Sequence, residues 1–264
     1  SCVRCWPPLP NPPTKALLRW LGLVVLAVLA LQLLFIGRIA AMAVCDPEST
    51  DFQRSEAWAQ ISSPQPLRWR QQWVPYVHIS DHLKRAVIAA EDDRFTQHDG
   101  IDWNALEKAW ERNAKAEALA QAKAERLQAK SPRAAALAVP APKIRGGSTI
   151  TQQLAKNLLL SSERNLIRKG QELVLTLLLE NLLSKQRILE IYLNNVEWGD
   201  GVFGAEAAAQ HYFKKSAARL APNEAARLAV MLPAPKRFEK TPGSAYLAGR
   251  TRAIAGRMRN AQLP

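Results

Sequence analysis

Hydrophobic and polar positions divide the chain into an apolar N-terminal span and a longer segment of amphipathic helices. No charged residue occurs from Trp20 to Gly37, and the apolar run with its flanks covers residues 17–44. A run of this length crosses a bilayer as one helix, so we predict a transmembrane anchor. A cleaved signal peptide is the alternative. It is disfavoured because the run is longer than the apolar part of such leaders and Met42-Ala43-Val44 is a poor cleavage site.

The charges that flank this span predict its orientation. Three cations precede the span, the last of them Arg19. Asp46, Glu48 and Asp51 follow it, and Arg38 is the exception to this separation of charge. Because positive flanks face the cytoplasm, residues 1–16 should form a cytoplasmic tail and the rest of the chain should lie outside the cytoplasm.

The outer segment is predicted to be mainly α-helical. Ser80, Thr149 and Ser184 stand where helices should begin, and Gln152 has capping-box spacing to Thr149. No convincing alternation of apolar and polar residues predicts a strand. We therefore expect the following organisation: a stalk over 45–79, a helical domain over 80–240 with an exposed, mobile helical insertion at about 113–143, and a helical C-terminal tail over 241–264.

Charge and cysteine content narrow the choice of partners. The chain has a net charge of +13 and a pI of about 10.0, which suggests nucleic acid for a soluble protein. An anchored outer domain argues against that and favours phospholipid head groups and phosphate-bearing lipids. Cys2 and Cys5 form an isolated pair in the predicted tail and Cys45 lies at the membrane edge, so the outer domain should stand without disulfides.

An acidic run begins where one apolar helix face ends. Leu83, Val87 and Glu91 follow one another at helical spacing, so the buried stripe ends in a carboxylate. Partial desolvation and the adjacent Asp92 should both raise the pKa of Glu91, which suits a proton acceptor near neutral pH. For an isolated acidic run the commoner interpretation is a solvated helix end.

Two downstream clusters carry further candidate chemistry. Gly146 and Gly147 precede the helix that Thr149 caps, so free N–H groups and the helix dipole could bind an anion, with Lys156 two turns further on. The alternative is a simple helix start.

The second cluster places two cations beside one carboxylate. Arg168 and Lys169 stand four and three residues before Glu172, on one side of a helix, and should hold that carboxylate ionised. Two carboxylates in different environments are typical of enzymes that act on glycosidic bonds, in which each carboxylate has its own role. A surface ion-pair triplet is the alternative.

These clusters together resemble one family, the membrane-anchored peptidoglycan glycosyltransferases, or transglycosylases, which include the polymerase half of bifunctional penicillin-binding proteins. No serine is followed three positions later by lysine, so the chain resembles the monofunctional type. The resemblance covers about residues 81–238 and rests on four motifs in order: Glu91-Asp92-x-x-Phe95-x-x-His98-x-Gly100; Gly146-Gly147-Ser148-Thr149-Ile150-Thr151-Gln152-Gln153 with Lys156-Asn157; Arg168-Lys169-x-x-Glu172; and Ile188-Leu189-Glu190-x-Tyr192-Leu193-Asn194 with Gly199 and Gly204.

The resemblance implies a fold, an activity and a location. The fold would be a lysozyme-like α-helical domain behind a single transmembrane helix, in the bacterial inner membrane. The activity would be polymerisation of lipid II into β-1,4 glycan by inverting transfer, with release of undecaprenyl diphosphate. The expected partners are lipid II, the growing lipid-linked glycan, the membrane and cell-wall synthesis or division proteins, and not nucleic acid. No cofactor is expected to be obligatory, and a divalent cation (Mg or Mn) is an option.

The resemblance also implies roles for single residues. Glu91 would be the general base that takes the proton of the acceptor sugar's 4-hydroxyl. Glu172 would be the second carboxylate, acting at the donor's diphosphate directly or through a metal ion that it binds. Substrate contacts are expected from Asp92, Phe95, His98, Gly147, Ser148, Thr149, Gln152, Gln153, Lys156, Asn157, Arg168 and Lys169, of which Lys156, Arg168 and Lys169 would hold the diphosphate.

Two other functions fit parts of the sequence. A membrane-anchored, lysozyme-like enzyme that cleaves glycan could use the same raised-pKa glutamate. An inactive scaffold of a cell-wall assembly complex is the other. The cations at Lys156, Arg168 and Lys169 disfavour the cleaving enzyme, because a neutral glycan does not require them. Retention of both Glu91 and Glu172 disfavours the scaffold.

Overall fold

The computed structural model describes residues 14–64, 66–130, 147–160 and 166–264. Cys2, Cys5, Gly146 and the second half of the predicted insertion lie outside these residues. The described helices are α1 (Thr14–Ala41), α2 (Asp51–Ile61), α3 (Asp81–Glu91), α4 (Trp103–Lys130), α5 (Ile150–Leu159), α6 (Leu166–Leu182), α7 (Lys185–Asn195), α8 (Ala205–Phe213), α9 (Pro222–Met231), α10 (Pro235–Lys240) and α11 (Ala245–Arg257). The strands are β1 (Arg70–Gln71), β2 (Glu197–Gly199) and β3 (Val202–Phe203). The predicted mainly α architecture is confirmed.

Helix α1 carries the apolar span and also joins the core of the domain. Its segment Ala16–Ala41, with a mean hydropathy of 2.5, is long and apolar enough to cross a membrane. Its last turns pack onto the rest of the protein, because Ile39 and Met42 are buried in the core and Phe35 packs against it. The apolar helix is therefore in direct contact with the domain.

The predicted helix starts are confirmed by their caps. The Ser80 hydroxyl accepts a hydrogen bond from the His82 N–H, and the Ser184 hydroxyl accepts one from the Arg187 N–H. Thr149 and Gln152 form a reciprocal capping box. Each cap satisfies N–H groups that a helix start would otherwise leave unpaired.

The segment predicted as a stalk is part of the domain. Strand β1 pairs in parallel with β3, and the Gln53 side chain donates to the Asn195 carbonyl at 3.2 Å. Further along, the Val74 N–H donates to the Asn194 side chain at 2.9 Å. These long-range bonds tie 51–79 to α7 and to the sheet, so a free linker is the wrong description.

A small sheet corrects the expectation of a strand-free domain. The order is β1-β3-β2, with β2 antiparallel to β3. Its strands have two or three residues, and β2 and β3 are buried at every position, so no alternation marks them in the sequence. Gly204 follows β3 with φ +85°, and a Cβ there would lie 2.6 Å from the Asn194 carbonyl oxygen. Only glycine fits this turn.

A buried acidic residue lies at the edge of this sheet. Glu197 of β2 is 8% exposed, and the Lys236 ammonium lies 3.3 Å from its carboxylate and 2.5 Å from that of Glu56. Burial raises the pKa of Glu197 to about 7, although the Lys236 charge opposes the rise.

The C-terminal segment predicted as a tail packs into the core. Helix α11 lies against α3 and α9, and its residues Leu247 and Ile254, seven positions apart, are buried there. This spacing puts both side chains on one helix face, and that face packs against the rest of the domain.

Helix α6 separates a buried face from an outward apolar face. Leu175 and Leu179 are fully buried, whereas Ile167, Val174 and Leu177 are exposed. Only one face of this apolar helix is therefore in the core.

Candidate active site

Glu91 is the last residue of α3 and lies half-buried beside α5. The Gln153 side chain donates a hydrogen bond to the Glu91 carboxylate at 2.8 Å. The buried Tyr192 hydroxyl in turn donates to the Gln153 carbonyl oxygen at 2.9 Å. The amide of Gln153 is thus held in one orientation, with its NH₂ directed at Glu91.

The surroundings of Glu91 change its proton affinity in the predicted direction. Burial is the main cause and raises the pKa of Glu91, and the neighbouring Asp92 charge raises it further. The Gln153 hydrogen bond and the charge of Arg250 lower that pKa in part. Burial also raises the pKa of Tyr192 well above its usual value, so its hydroxyl stays a proton donor. Glu91 can therefore accept a proton nearer to neutral pH than an ordinary glutamate.

Asp92 organises the motif that follows Glu91. It is buried, and its two oxygens accept from the Ile150 N–H at 3.0 Å and face His98 Nε2 at 2.9 Å. The first bond joins the end of α3 to the start of α5. Asp92 lines the cleft described below, but its hydrogen bonds make it first a positioning residue.

Phe95 and His98 differ from the predicted substrate contacts. Phe95 has no exposed surface, and the Lys185 ammonium lies 4.6 Å from its ring centre. The His98 side chain is 9% exposed and is paired with Asp92. Since a side chain without surface cannot reach a substrate, we replace the predicted contact of Phe95 by a role in the core, and His98 is held in the same network.

Asp92, His98 and Asp102 form a group of three possible metal ligands within 4.8 Å of one another. Asp102 pairs with the Arg94 guanidinium, with Nε at 3.0 Å, and accepts the Ala105 N–H at 2.8 Å. A cation here would compete with a guanidinium already bound to the carboxylate. These residues therefore fit a hydrogen-bond network better than a metal site.

The segment that was predicted to bind an anion forms, over its described residues 147–149, the capped start of α5. Thr149 is buried, and its hydroxyl donates to the Gly100 carbonyl at 2.6 Å and accepts the Gln152 N–H at 3.2 Å. A Cβ at Gly147 would lie 3.3 Å from the Leu106 backbone, so this glycine permits close packing on α4. Thr149 and Gln152 are thus used for capping, whereas Ser148 is exposed to the cleft.

A cleft of about 390 Å³ adjoins Glu91. It is lined by Ala89, Ala90, Glu91, Asp92, Asp93, Arg94, Asp102, Ala105, Lys108, Arg112, Gly147, Ser148, Thr149 and Arg257. Besides Arg94, which is paired with Asp102, this lining has three further cations that were not predicted: Lys108, Arg112 and Arg257. Arg257 forms an ion pair with Asp93 at 3.2 Å. No local sequence signal marks these cations, because only the packing of α4 and α11 brings them to Glu91.

Glu172 forms a second charged cluster on α6. It is 5% exposed, its carboxylate pairs with the Lys169 ammonium, and its backbone carbonyl accepts the Thr176 hydroxyl at 2.7 Å. The predicted pairing of Lys169 with Glu172 is confirmed, and Arg168 lies half-buried on the same turn.

The two clusters lie on elements that both contact α5. Gln153 of α5 bonds to Glu91, and the same helix packs on α6. Lys156 and Asn157 continue α5 one turn beyond Gln153. Among the described residues, the lining of the cleft at Glu91 does not include Glu172 or Lys169. The structure thus brings Glu91, Gln153 and Ser148 to one place and Glu172 with Lys169 to another.

Tyr192 is a site residue that the predicted set omits. It occurs in the fourth motif, but the sequence alone does not show that its hydroxyl reaches Gln153 across the fold. Arg250, in the C-terminal segment, is also absent from the predicted set, and its positive charge lowers the pKa of Glu91.

Comparison with known proteins identifies the family. The family model described as Transglycosylase matches residues 59–122 and 130–259. A "Biosynthetic peptidoglycan transglycosylase" of Herminiimonas arsenicoxydans is 49% identical over 252 residues, which are 95% of this chain and 98% of that protein. Proteins of the same name from Paraburkholderia xenovorans (strain LB400), 48% identical over 93% of this chain and 94% of the relative, and from Bordetella pertussis, 45% identical over 96% and 99%, are similarly close. The chain therefore belongs to the transglycosylase family.

Proposed function

We propose that this peptidoglycan transglycosylase polymerises lipid II into β-1,4 glycan with inversion at the anomeric carbon and release of undecaprenyl diphosphate. The observation that carries the proposal is Glu91, a carboxylate of raised pKa that Gln153 orients beside a cleft lined by cations. A base and a set of cations suit this reaction, since a diphosphate leaves readily once its charge is stabilised.

Glu91 acts on the acceptor. Its carboxylate takes the proton of the acceptor sugar's 4-hydroxyl while that oxygen forms a bond to the donor's anomeric carbon. The bond from this carbon to the diphosphate oxygen breaks in the same displacement, and the electron pair leaves with the diphosphate. Because Tyr192 holds the Gln153 amide, Glu91 is held ready for the incoming hydroxyl.

The Glu172 cluster acts on the leaving group. Lys169 is paired with Glu172, and Arg168 and Lys156 lie on the adjoining turns of α6 and α5. Their positive charges would stabilise the departing diphosphate. A divalent ion such as Mg or Mn fits here only with phosphate oxygens added to the single carboxylate of Glu172, and when bound it would neutralise further phosphate charge. Lys169, Arg168 and Lys156 are the positive charges that the chain itself supplies.

The remaining predicted residues divide into two groups. Ser148 and Asn157 stay proposed substrate contacts, and Gln153 acts through Glu91. Asp92 and His98 position the motif, as Thr149 and Gln152 position the start of α5.

The apolar helix α1 would hold this chemistry at a membrane. We propose that it crosses the bacterial inner membrane once, with its N-terminus in the cytoplasm and the catalytic domain outside. The supporting observations are the apolar span Ala16–Ala41 and the cations before it. A lipid-linked substrate would then share the membrane with the enzyme, and cell-wall synthesis or division proteins could meet it there.

The proposal is tested by incubating the detergent-solubilised full chain with labelled lipid II and separating the products on a gel with and without lysozyme. We expect a ladder of glycan chains that lysozyme removes. Release of small fragments from preformed glycan, without a ladder, would instead indicate the cleaving enzyme. Inactivity in both assays would indicate the scaffold.

A further inference from the structure

The apolar span contains one polar residue, and that residue bonds to the catalytic domain. Gln32 is the only polar side chain between Trp20 and Gly37. Its amide donates to the Gln171 carbonyl oxygen at 3.2 Å, and the Gln171 amide donates back at 3.1 Å. The two side chains form a closed pair in which each donates to the other and accepts from it.

This pair is the inner end of a longer contact. Gln32, Phe35 and Ile39 of α1, with Met42 directly after it, recur at helical spacing and face the domain, and Ile39 is fully buried. The contact fixes how α1 and α6 lie against each other. It therefore also fixes which part of the domain lies at the level of the membrane.

The depth of the pair follows from helix geometry. Arg19 and Arg38 bracket the uncharged span, and their separation along a helix is about 28 Å, close to the hydrocarbon thickness of a bilayer. Gln32 precedes Arg38 by six residues, which places it about 9 Å inside that boundary. Its bonding partner Gln171 must lie at the same level. Interfacial helices reach a similar depth, about 5–10 Å.

The face that α6 turns away from the core suits this position. Ile167, Val174 and Leu177 are 87%, 44% and 42% exposed and share one helix face. This exposed face is continuous with the apolar surface of α1. Gln171, which bonds to Gln32 of α1, lies between the exposed face and the buried face of α6. Lys169, whose side chain is 59% exposed, can extend its ammonium towards the head groups.

We propose that the Gln32–Gln171 pair holds the catalytic domain at a fixed depth in the outer leaflet, with the Ile167–Val174–Leu177 face of α6 in contact with lipid acyl chains. The inference rests on the proposed crossing of the membrane by α1. An unpaired amide is unfavourable in hydrocarbon, so Gln32 in the span requires a partner there, and the domain provides it. Because α6 also carries Lys169 and Glu172, the pair positions the leaving-group cluster next to the membrane that holds the lipid diphosphate.

The experiment measures depth without substrate. The full chain, with Cys2, Cys5 and Cys45 changed to serine, is placed in vesicles of phosphatidylethanolamine and phosphatidylglycerol. A fluorophore is attached to one cysteine introduced by Ile167→Cys, and quenching by spin labels on lipid acyl chains is measured. Val28→Cys on the exposed side of α1 is the positive control, and Ala253→Cys, exposed on α11, is the negative control.

We expect acyl-chain quenching at residues 167 and 28 and none at residue 253. Gln32→Leu and Gln171→Leu should each lower the equilibrium constant for seating the α6 face in lipid by about threefold or more, the range expected for loss of an amide bond between helices in a membrane. Each change should therefore reduce the quenching at residue 167. The double change Gln32→Leu/Gln171→Leu leaves no unpaired amide. If the amide bond sets the depth, the double variant should also lose quenching at residue 167, while its circular dichroism spectrum stays unchanged.

Four results would overturn the inference. Quenching at residue 28 but not at residue 167 would mean that α6 is not in lipid, whereas loss at both would refute the crossing of α1 itself. Quenching at residue 167 that depends on protein concentration would assign the face to a second copy of the chain. Wild-type quenching in the double variant would show that apolar packing sets the depth and the amide pair does not.

Discussion

Replacing Gln153 by methionine tests whether the amide of Gln153 tunes Glu91. Methionine has a similar size and flexibility but no donor, so Gln153→Met removes the 2.8 Å hydrogen bond to the Glu91 carboxylate. That bond favours the ionised form of Glu91, and its loss should raise the pKa of Glu91 further. An enzyme that needs ionised Glu91 should then become active only at higher pH.

The size of the effect follows from the bond. A hydrogen bond to a charged group is worth about 1.5–3 kcal/mol, and Glu91 is half-buried, so the lower end applies. Since about 1.4 kcal/mol corresponds to one pH unit, the acidic limb of the rate profile should move up by about one unit. On the plateau above the limb the rate should change little, because the base is then ionised in both proteins.

The assay is the initial rate of glycan polymerisation from labelled lipid II as a function of pH. Gln153→Met also leaves the buried Tyr192 hydroxyl without its acceptor, which costs about 1–3 kcal/mol of folding stability. The double change Gln153→Met/Tyr192→Phe removes that hydroxyl and should restore folding stability. The acidic limb of its rate profile should remain at the higher pH. Tyr192→Phe alone keeps the bond to Glu91 and should leave the limb in place. A limb that stays in place in Gln153→Met, or moves to lower pH, would refute the reasoning.

Three further predictions concern stability, measured as thermal or denaturant unfolding of the detergent-solubilised protein. The pKa of Glu197, raised to about 7, means that the folded state holds a proton that the unfolded state loses above about 4.5, so the wild type should lose stability from pH 5 to 7. Glu197→Gln should be as stable as the wild type near pH 5 and more stable than the wild type above pH 7. Identical profiles of stability against pH in the two proteins would contradict the raised pKa of Glu197. Gly204→Ala should cost about 2–3 kcal/mol or more through its positive φ and the nearby Asn194 carbonyl, whereas Gly249→Ala, in open space on α11, should be neutral or stabilising. Ile254→Ala should cost about 2–5 kcal/mol, and an unchanged stability would show that α11 is a detachable tail.

The sequence predicted the parts of this protein that local physics determines. Ser80, Thr149 and Ser184 cap the helices that they were expected to begin, because a cap acts within three residues of itself. Glu91 ends a buried stripe as its spacing indicated, and the predicted Lys169–Glu172 pair forms within one helical turn.

The parts that were not predicted depend on contacts between distant segments. The strands are too short and too buried to alternate, so β1 is visible only through its pairing with β3. Arg257 and Tyr192 reach the site through packing of whole helices. Phe95 stands in a motif with polar neighbours, and only the fold shows that its ring is buried under Lys185.

The central claim is that Glu91 is the base of glycan polymerisation, and one comparison tests it most directly. Glu91→Gln keeps the shape and removes the proton acceptor, whereas Asp93→Asn removes an exposed carboxylate two residues away that is paired with Arg257. With lipid II as substrate, Glu91→Gln should lower the polymerisation rate by about a hundredfold or more at every pH, the usual contribution of a general base. Asp93→Asn should stay within a few-fold of the wild type. A folded Glu91→Gln enzyme that polymerises at the wild-type rate would contradict the account.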